Sequence, residues 1–168
     1  MNVTTVGLDL AKNVFQVHGI DSAGGVIVRR SLRRRQMMPF FGKLEPCLIG
    51  IEACGTSHFW ARELRALGHE VKLMPPAYVK PYVKRGKTDA ADALGIAHIM
   101  RTGWFRQAHI KTEECYRIRL LLVQRRTLKR KFLDIENAIR HSLKVFGIRL
   151  GKVGRGSMEK AVREAVAG

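Results

Sequence analysis

Two aspartates three residues apart, Asp89 and Asp92, lie in the segment KRGKTDAADALGIAHIM (84–100), directly behind a run of cations. On a helix they share one face as near neighbours, and like charges so placed repel unless a cation lies close by. Two further acids stand in apolar or small-residue surroundings: Asp9 in VGLDLAK and Glu52 in LIGIEACG, each at the end of a strand-like run. A charge closing an apolar strand is costly unless it is paired. Hard oxygen ligands at this density suit Mg²⁺ or Mn²⁺. Two such ions about 3.5–4 Å apart stabilise the attacking and leaving oxygens of an in-line phosphodiester displacement. Asp9, Glu52, Asp89 and Asp92 are therefore the expected catalytic and metal-ligating carboxylates. Three of them have a plainer reading taken singly: Asp9 as a turn residue, Asp89 and Asp92 as first-turn acids facing the helix dipole. The conjunction of two strand ends and one helix start favours the site.

The charge of the chain supplies the setting. Its 168 residues hold 31 Lys and Arg against 14 Asp and Glu, a formal net charge of +17, which favours a polyanionic partner, nucleic acid first. The excess is uneven: residues 1–100 carry 14 basic and 8 acidic side chains, residues 101–168 carry 17 and 6. Lys80, Lys84, Arg85 and Lys87 precede the two aspartates on a Pro-interrupted stretch and are expected to contact phosphates, with Lys12 three residues after Asp9 and Arg125 and Arg126 further along. RRSLRRR (29–35) reads equally well as a solvated face, and Tyr78, Tyr82, Trp104 and Phe105 as core or interface aromatics. Three cysteines without a C-x-x-C pair, a start lacking a basic and apolar leader, and no apolar run of 18 residues lead to the expectation of a reduced cytoplasmic protein.

The elements that must position these residues can be sketched from periodicity. NVTTVGLDLA, NVFQVHGI and GGVIVRRSL read as an antiparallel meander, followed by a weakly helical RRRQMMPFFGKL. CLIGIEA is a short buried strand, and SHFWARELRALG an amphipathic helix capped by Thr56 or Ser57 and closed by Gly68. HEVKLMP is another strand. TDAADALGIAHIMR is a helix with Thr88 as its N-cap. Three antiparallel strands followed by crossover units predict an α/β mixed sheet flanked by helices. Strands one and four should be neighbours, so that Asp9 and Glu52 enter one crevice at the strand ends. From about residue 112 a single long helix is expected, with Ile118, Leu121, Leu128, Phe132, Ile135, Ile139 and Phe146 on one seam broken by Arg125 and Ser142. At about 1.5 Å per residue it runs roughly 50 Å. A further helix begins at SMEKAVREAVAG and stops at Gly168, as though the chain were cut within a longer protein.

The blocks VGLDLAKNVFQVHGID, IGIEACGTSHFWARELRALGHEVKLMPPAYVKPYVKRGKTDAADA and IRLGKVGRGS closely resemble the N-terminal part of the DEDD transposases of bacterial insertion sequences (family one-ten), related to Piv-type DNA invertases. The resemblance implies a RuvC-like, ribonuclease H-like domain over residues 1–108. It also implies a coiled-coil-like region over 109–168 and, in the family, a C-terminal transposase domain with a serine nucleophile that this chain lacks. It carries the four acidic positions onto Asp9, Glu52, Asp89 and Asp92. It implies a DNA recombinase in the bacterial cytoplasm, associated with the nucleoid and directed by an element-encoded guide RNA, acting as a homodimer or higher homo-oligomer. Alternatives of other classes are a Holliday-junction-resolvase-like nuclease, a noncatalytic RNA-binding or dimerisation module, and an ATPase suggested by GLDLAK, for which no second phosphate loop is found.

Overall fold

A computed structural model describes residues 2–81, 89–154 and 156–167; of Asp89 it describes the backbone alone. Two compact units divide the chain, Met1–Glu113 and Glu114–Gly168.

The first unit is built on a five-stranded sheet. Strands β1 (Thr5–Leu10), β2 (Val14–Ile20) and β3 (Val26–Arg33) form the expected meander, with β1 antiparallel to β2 and β2 antiparallel to β3. A 3-10 turn at Arg34–Gln36 leads into the short helix α1 (Met37–Phe41), and the chain then returns as β4 (Leu48–Glu52), parallel to β1. Helix α2 (Ser57–Ala66) carries it over to β5 (Glu70–Met74), parallel to β4, and the strand order is β3-β2-β1-β4-β5. Helices α3 (Pro76–Val79) and α4 (Asp89–Thr102) follow. The mixed sheet with flanking helices is the architecture expected from the sequence.

Helices cover both faces. On one, Val6, Leu8, Phe15, Val17, Ile49, Ile51, Val71 and Leu73 meet Met37, Phe41, Trp60 and Leu64 from α1 and α2. On the other, α4 lies over β1, β2 and β4, with Ile96, Ile99 and Met100 packed near Met74 and Val79. The double cover explains why β2 alternates only at its start and then buries His18, Gly19 and Ile20 in succession.

Helix α2 begins differently from expectation. Thr56 occupies the N-cap position without a side-chain cap. Ser57 instead bonds back to Cys54, its Oγ accepting from the Cys54 N–H and donating to the Cys54 carbonyl, each at 3.0 Å. With helical φ and ψ (−100°, −13°), Thr56 is not in the extended conformation that turns a cap hydroxyl onto the first turn. The C-terminus ends at Gly68 as expected: its φ of +93° lets the Gly68 and His69 N–H groups reach the Arg65 and Leu64 carbonyls. The prolines also do more than interrupt. Pro76 opens α3, where a missing N–H costs nothing. Thr88, the expected cap of α4, lies outside the described residues.

In the second unit, α5 (Glu113–Val145) is a single 33-residue helix with no buried residue, and α6 (Met158–Ala167) follows. At about 1.5 Å per residue α5 is roughly 50 Å long. Its C-terminus is turned by Gly147 at φ +77°, with the Gly147 N–H on the Lys144 carbonyl and the Ile148 N–H on the Leu143 carbonyl. Of the described residues of this unit, only Met158 is buried. No helix among the described residues is long and apolar enough to cross a membrane.

A candidate acidic site at the strand ends

The pairing of β1 with β4 runs in register from Thr5 opposite Leu48 to Leu8 opposite Ile51. Asp9 and Glu52 are the next residue of each strand, so two acids stand side by side at the carboxyl ends of parallel strands. Both are half-buried. Leu8 and Ile51 point into the core beneath α1 and α2, and strand alternation therefore turns Asp9 and Glu52 to the opposite face, the one that carries α4.

Two glycines let α4 approach that face. Gly7 and Gly50 are each two residues before an acid, on the same face and directly opposite each other. A Cβ on Gly7 would overlap the Ala93 carbonyl oxygen and stand 2.5 Å from the Ala97 nitrogen. One on Gly50 would run into Met100 and come within 2.9 Å of Ile96. At Gly7 the helix backbone itself rests on the sheet, helped by the small residues Ala93 and Ala97, while at Gly50 the Ile96 and Met100 side chains fill the space a Cβ would need. The repeated Gly-x-acid pattern, GLD and GIE, is the sequence signal for this contact, carried by the glycines rather than by the titratable residues.

With α4 so seated, Asp92 falls beside Glu52. Burial, together with the negative charge of Asp92, pushes the Glu52 carboxyl above its ordinary range, and Lys80, at the C-cap of α3, pulls it the other way. Desolvation and a like charge are the two causes that raise a carboxylate, and a cation relieves both. The structure thus brings Glu52, Asp92 and Lys80 together and sets Asp9 next to Glu52 along the sheet. Asp89 opens α4, but its side chain lies outside the described residues, as do Lys84, Arg85 and Lys87. Lys12 is exposed in the turn after β1. Arg125 and Arg126 are exposed on α5, in the other unit.

The donor chemistry fits a hard divalent cation: carboxylate oxygens, with two acids close enough to repel each other. Among the described residues, no group of three or more His, Cys, Asp or Glu is placed to hold a metal ion.

Other candidates have structural roles. The buried His58 accepts the Lys111 N–H at Nδ1, 3.2 Å away. Burial and the nearby Lys111, Arg62 and His109 hold this imidazole below its ordinary pKa. Cys47, Cys54 and Cys115 form no disulfide. Tyr78 meets Phe105 edge-on at 6.4 Å, whereas Trp104 is 89% exposed.

The IS110-type DEDD family, described as "Transposase", matches residues 6–148. A Pseudomonas aeruginosa protein named "Probable family 20 transposase" is 44% identical over 155 residues, 92% of this chain and 46% of its own length. The transposase for insertion sequence element IS1328 of Yersinia enterocolitica is 34% identical, with 88% of this chain and 44% of the relative covered. That for IS1111A of Coxiella burnetii is also 34% identical, with 90% and 42% covered. The chain thus spans less than half the length of each of these curated relatives. Among solved structures, T. thermophilus RuvC in complex with a Holliday junction substrate is similar at a TM-score of 0.45 and 11% identity, over 64% of this chain and 100% of that one. The family match takes in most of the chain, from β1 through α5, and this chain belongs to the IS110-type DEDD transposase family.

Proposed function

We propose that this chain is the acidic, DNA-acting part of a bacterial insertion-sequence transposase, in which Asp9, Glu52, Asp89 and Asp92 together serve phosphodiester cleavage and exchange. The observation that carries the reading is the placement of Asp92 against Glu52 by a helix laid directly on Gly7 and Gly50. The glycines let the helix pack closely, and that close approach sets a second negative charge against the half-buried Glu52, which costs stability. Such a cost is typical of a functional site.

Bound Mg²⁺ or Mn²⁺ would supply Lewis-acid stabilisation to the phosphoryl oxygens. The chain's own part is to hold the carboxylates at the strand ends, to keep Glu52 partly desolvated so that it engages a cation strongly, and to balance the acids with Lys80. Lys12, Lys84, Arg85 and Lys87 are assigned to the phosphates of the incoming strand. We assign the chemistry to residues 1–108 and a binding role to the basic helix within 109–168, with Arg125 and Arg126 on nucleic acid. An element-encoded guide RNA is the proposed director of the reaction. A second copy of the chain is the proposed cover for the exposed seam of α5, where Ile118, Leu121, Leu128, Phe132 and Ile135 all face solvent.

The test is recombination between donor and target plasmids by the full protein carrying Asp9→Ala, Glu52→Ala or Asp92→Ala. Loss of recombinant product with an unchanged circular-dichroism spectrum is expected. Retained recombination in these variants overturns the proposal. Calorimetry with Mn²⁺ should show binding to the wild type and loss of binding in Glu52→Gln.

A further inference from the structure

Far along the chain from the acidic residues, the end of α5 forms a cavity of about 750 Å³ lined by Asn137, Arg140, His141, Lys144, Arg149 and their neighbours. Residues 137, 140, 141 and 144 stand at i, i+3, i+4 and i+7, one continuous helical face. That spacing normally marks an apolar stripe, yet here it carries an amide, a guanidinium, an imidazole and an ammonium. The turn at Gly147 reverses the chain, so that residues 148–151 run back along this face and bring Arg149 to it. Arg140 pins the return: its Nη1 donates to the carbonyls of Leu150 at 3.1 Å and Gly151 at 2.8 Å. The guanidinium carries further N–H groups beyond the Nη1 pair used here. Among the described residues, no carboxylate lines the cavity.

Cations near a helix C-terminus commonly just complement the dipole. Here the Lys144 and Leu143 carbonyls are already taken by the Gly147 and Ile148 N–H groups. Arg149 also reaches the cavity from outside the helix. Three permanent cations therefore converge on a walled space without an internal counter-charge, and its volume lies within the range of small-molecule sites. A phosphate flanked by sugar and base fits both the charge and the size.

We propose that this cavity captures one nucleotide of a nucleic-acid strand, its backbone phosphate held by Arg140, Lys144 and Arg149, with Asn137 and His141 offering hydrogen bonds to the attached sugar or base. The site is independent of the carboxylates: it stands or falls in an experiment without cleavage or added divalent metal.

The test uses the purified chain and fluorescein-labelled 20-mers of polyuridylate and oligo-dT, titrated by anisotropy across a salt series. The variant Lys144→Gln/Arg149→Gln is compared with Lys129→Gln/Arg130→Gln, which removes the same charge from exposed positions of α5 outside the cavity. Loss of the one phosphate contact at the cavity lowers the log–log salt slope by up to about 0.7. We expect that drop and about tenfold weaker binding for the cavity variant on at least one of the two strands, with a clearly smaller change for the control. Equal losses in the two variants would show diffuse attraction and overturn the site, as would unchanged binding on both strands. Asn137→Ala, which leaves the charge intact, should weaken binding without altering the slope.

Discussion

Met1–Glu113 and Glu114–Gly168 spend their apolar residues in opposite ways. The first stacks them at period two and at helical spacing against a sheet until Val6, Leu8, Ile49, Ile51, Leu64 and Leu73 are fully enclosed. The second strings them along a 33-residue helix on which nothing is buried, so that Leu121 is 71% and Leu128 69% exposed. One unit is stabilised by its own core. The other presents a face as a surface, with stability resting on helix propensity and local capping unless something covers it. An apolar pattern in sequence therefore says that burial is wanted, without saying whether the same chain supplies it.

The sharpest way to break this contrast is a matched pair of truncations. Leu64→Ala should cost about 2–5 kcal/mol of unfolding free energy. Leu128→Ala should stay within about 0.5 kcal/mol in dilute monomeric chain. A large cost for Leu128→Ala that grows with protein concentration would show that a second copy covers α5, and sedimentation equilibrium on the same samples would reveal the dimer.

Next in size is Gly7→Ala. The added methyl meets the backbone of α4 rather than a flexible side chain, and a loss of about 1–3 kcal/mol in denaturant unfolding is expected, with reduced recombination because Asp92 is displaced. An equivalent change at Gly151, where a Cβ meets nothing within 4 Å, should be nearly silent.

A smaller effect of opposite sign is expected at the site itself. Because the folded-state pKa of Glu52 is raised, its ionised form is disfavoured by folding, and the penalty is present above that pKa and vanishes as pH falls through it. Glu52→Gln should raise the thermal midpoint slightly at pH 7 while recombination is lost, and the gain should disappear near pH 4. Mn²⁺ should raise the midpoint of the wild type but not of this variant.

The smallest is an acid effect confined to the first unit. His18 and His58 both have lowered folded-state pKa values, His18 through burial and the neighbouring Arg29. Their neutral forms are favoured by folding, so stability is fully present above about pH 6.5 and erodes as pH falls below it. His58→Gln should flatten that slope in thermal melts between pH 5 and 7.

Much of the first unit was readable because its strands and helices have distinct periods and strong punctuation: the DSAGG turn, Gly68 after α2, the Pro pair before α3. The acids Asp9 and Glu52 could be picked out because charge at the end of an apolar run is rare. The capping of α2 was misjudged, since Ser57 had a local alternative in Cys54 that spacing does not reveal. The role of Gly7 and Gly50 was missed because a glycine's contact is made by what packs over it. The cavity at the end of α5 was invisible for a similar reason: Arg149 joins Arg140 and Lys144 only after Gly147 has turned the chain back.

By itself the sequence determined the alternation of elements, the +17 charge and the acids set at two strand ends and a helix start, all properties carried by composition and local period. Tertiary structure alone decided the register that sets Asp9 opposite Glu52 on the neighbouring strands, the seating of α4 over Gly7 and Gly50, and hence that Asp92 loads Glu52 with its charge. These are contacts between residues some 40 to 90 positions apart, and they are fixed by which surfaces can approach, a quantity that no local pattern encodes.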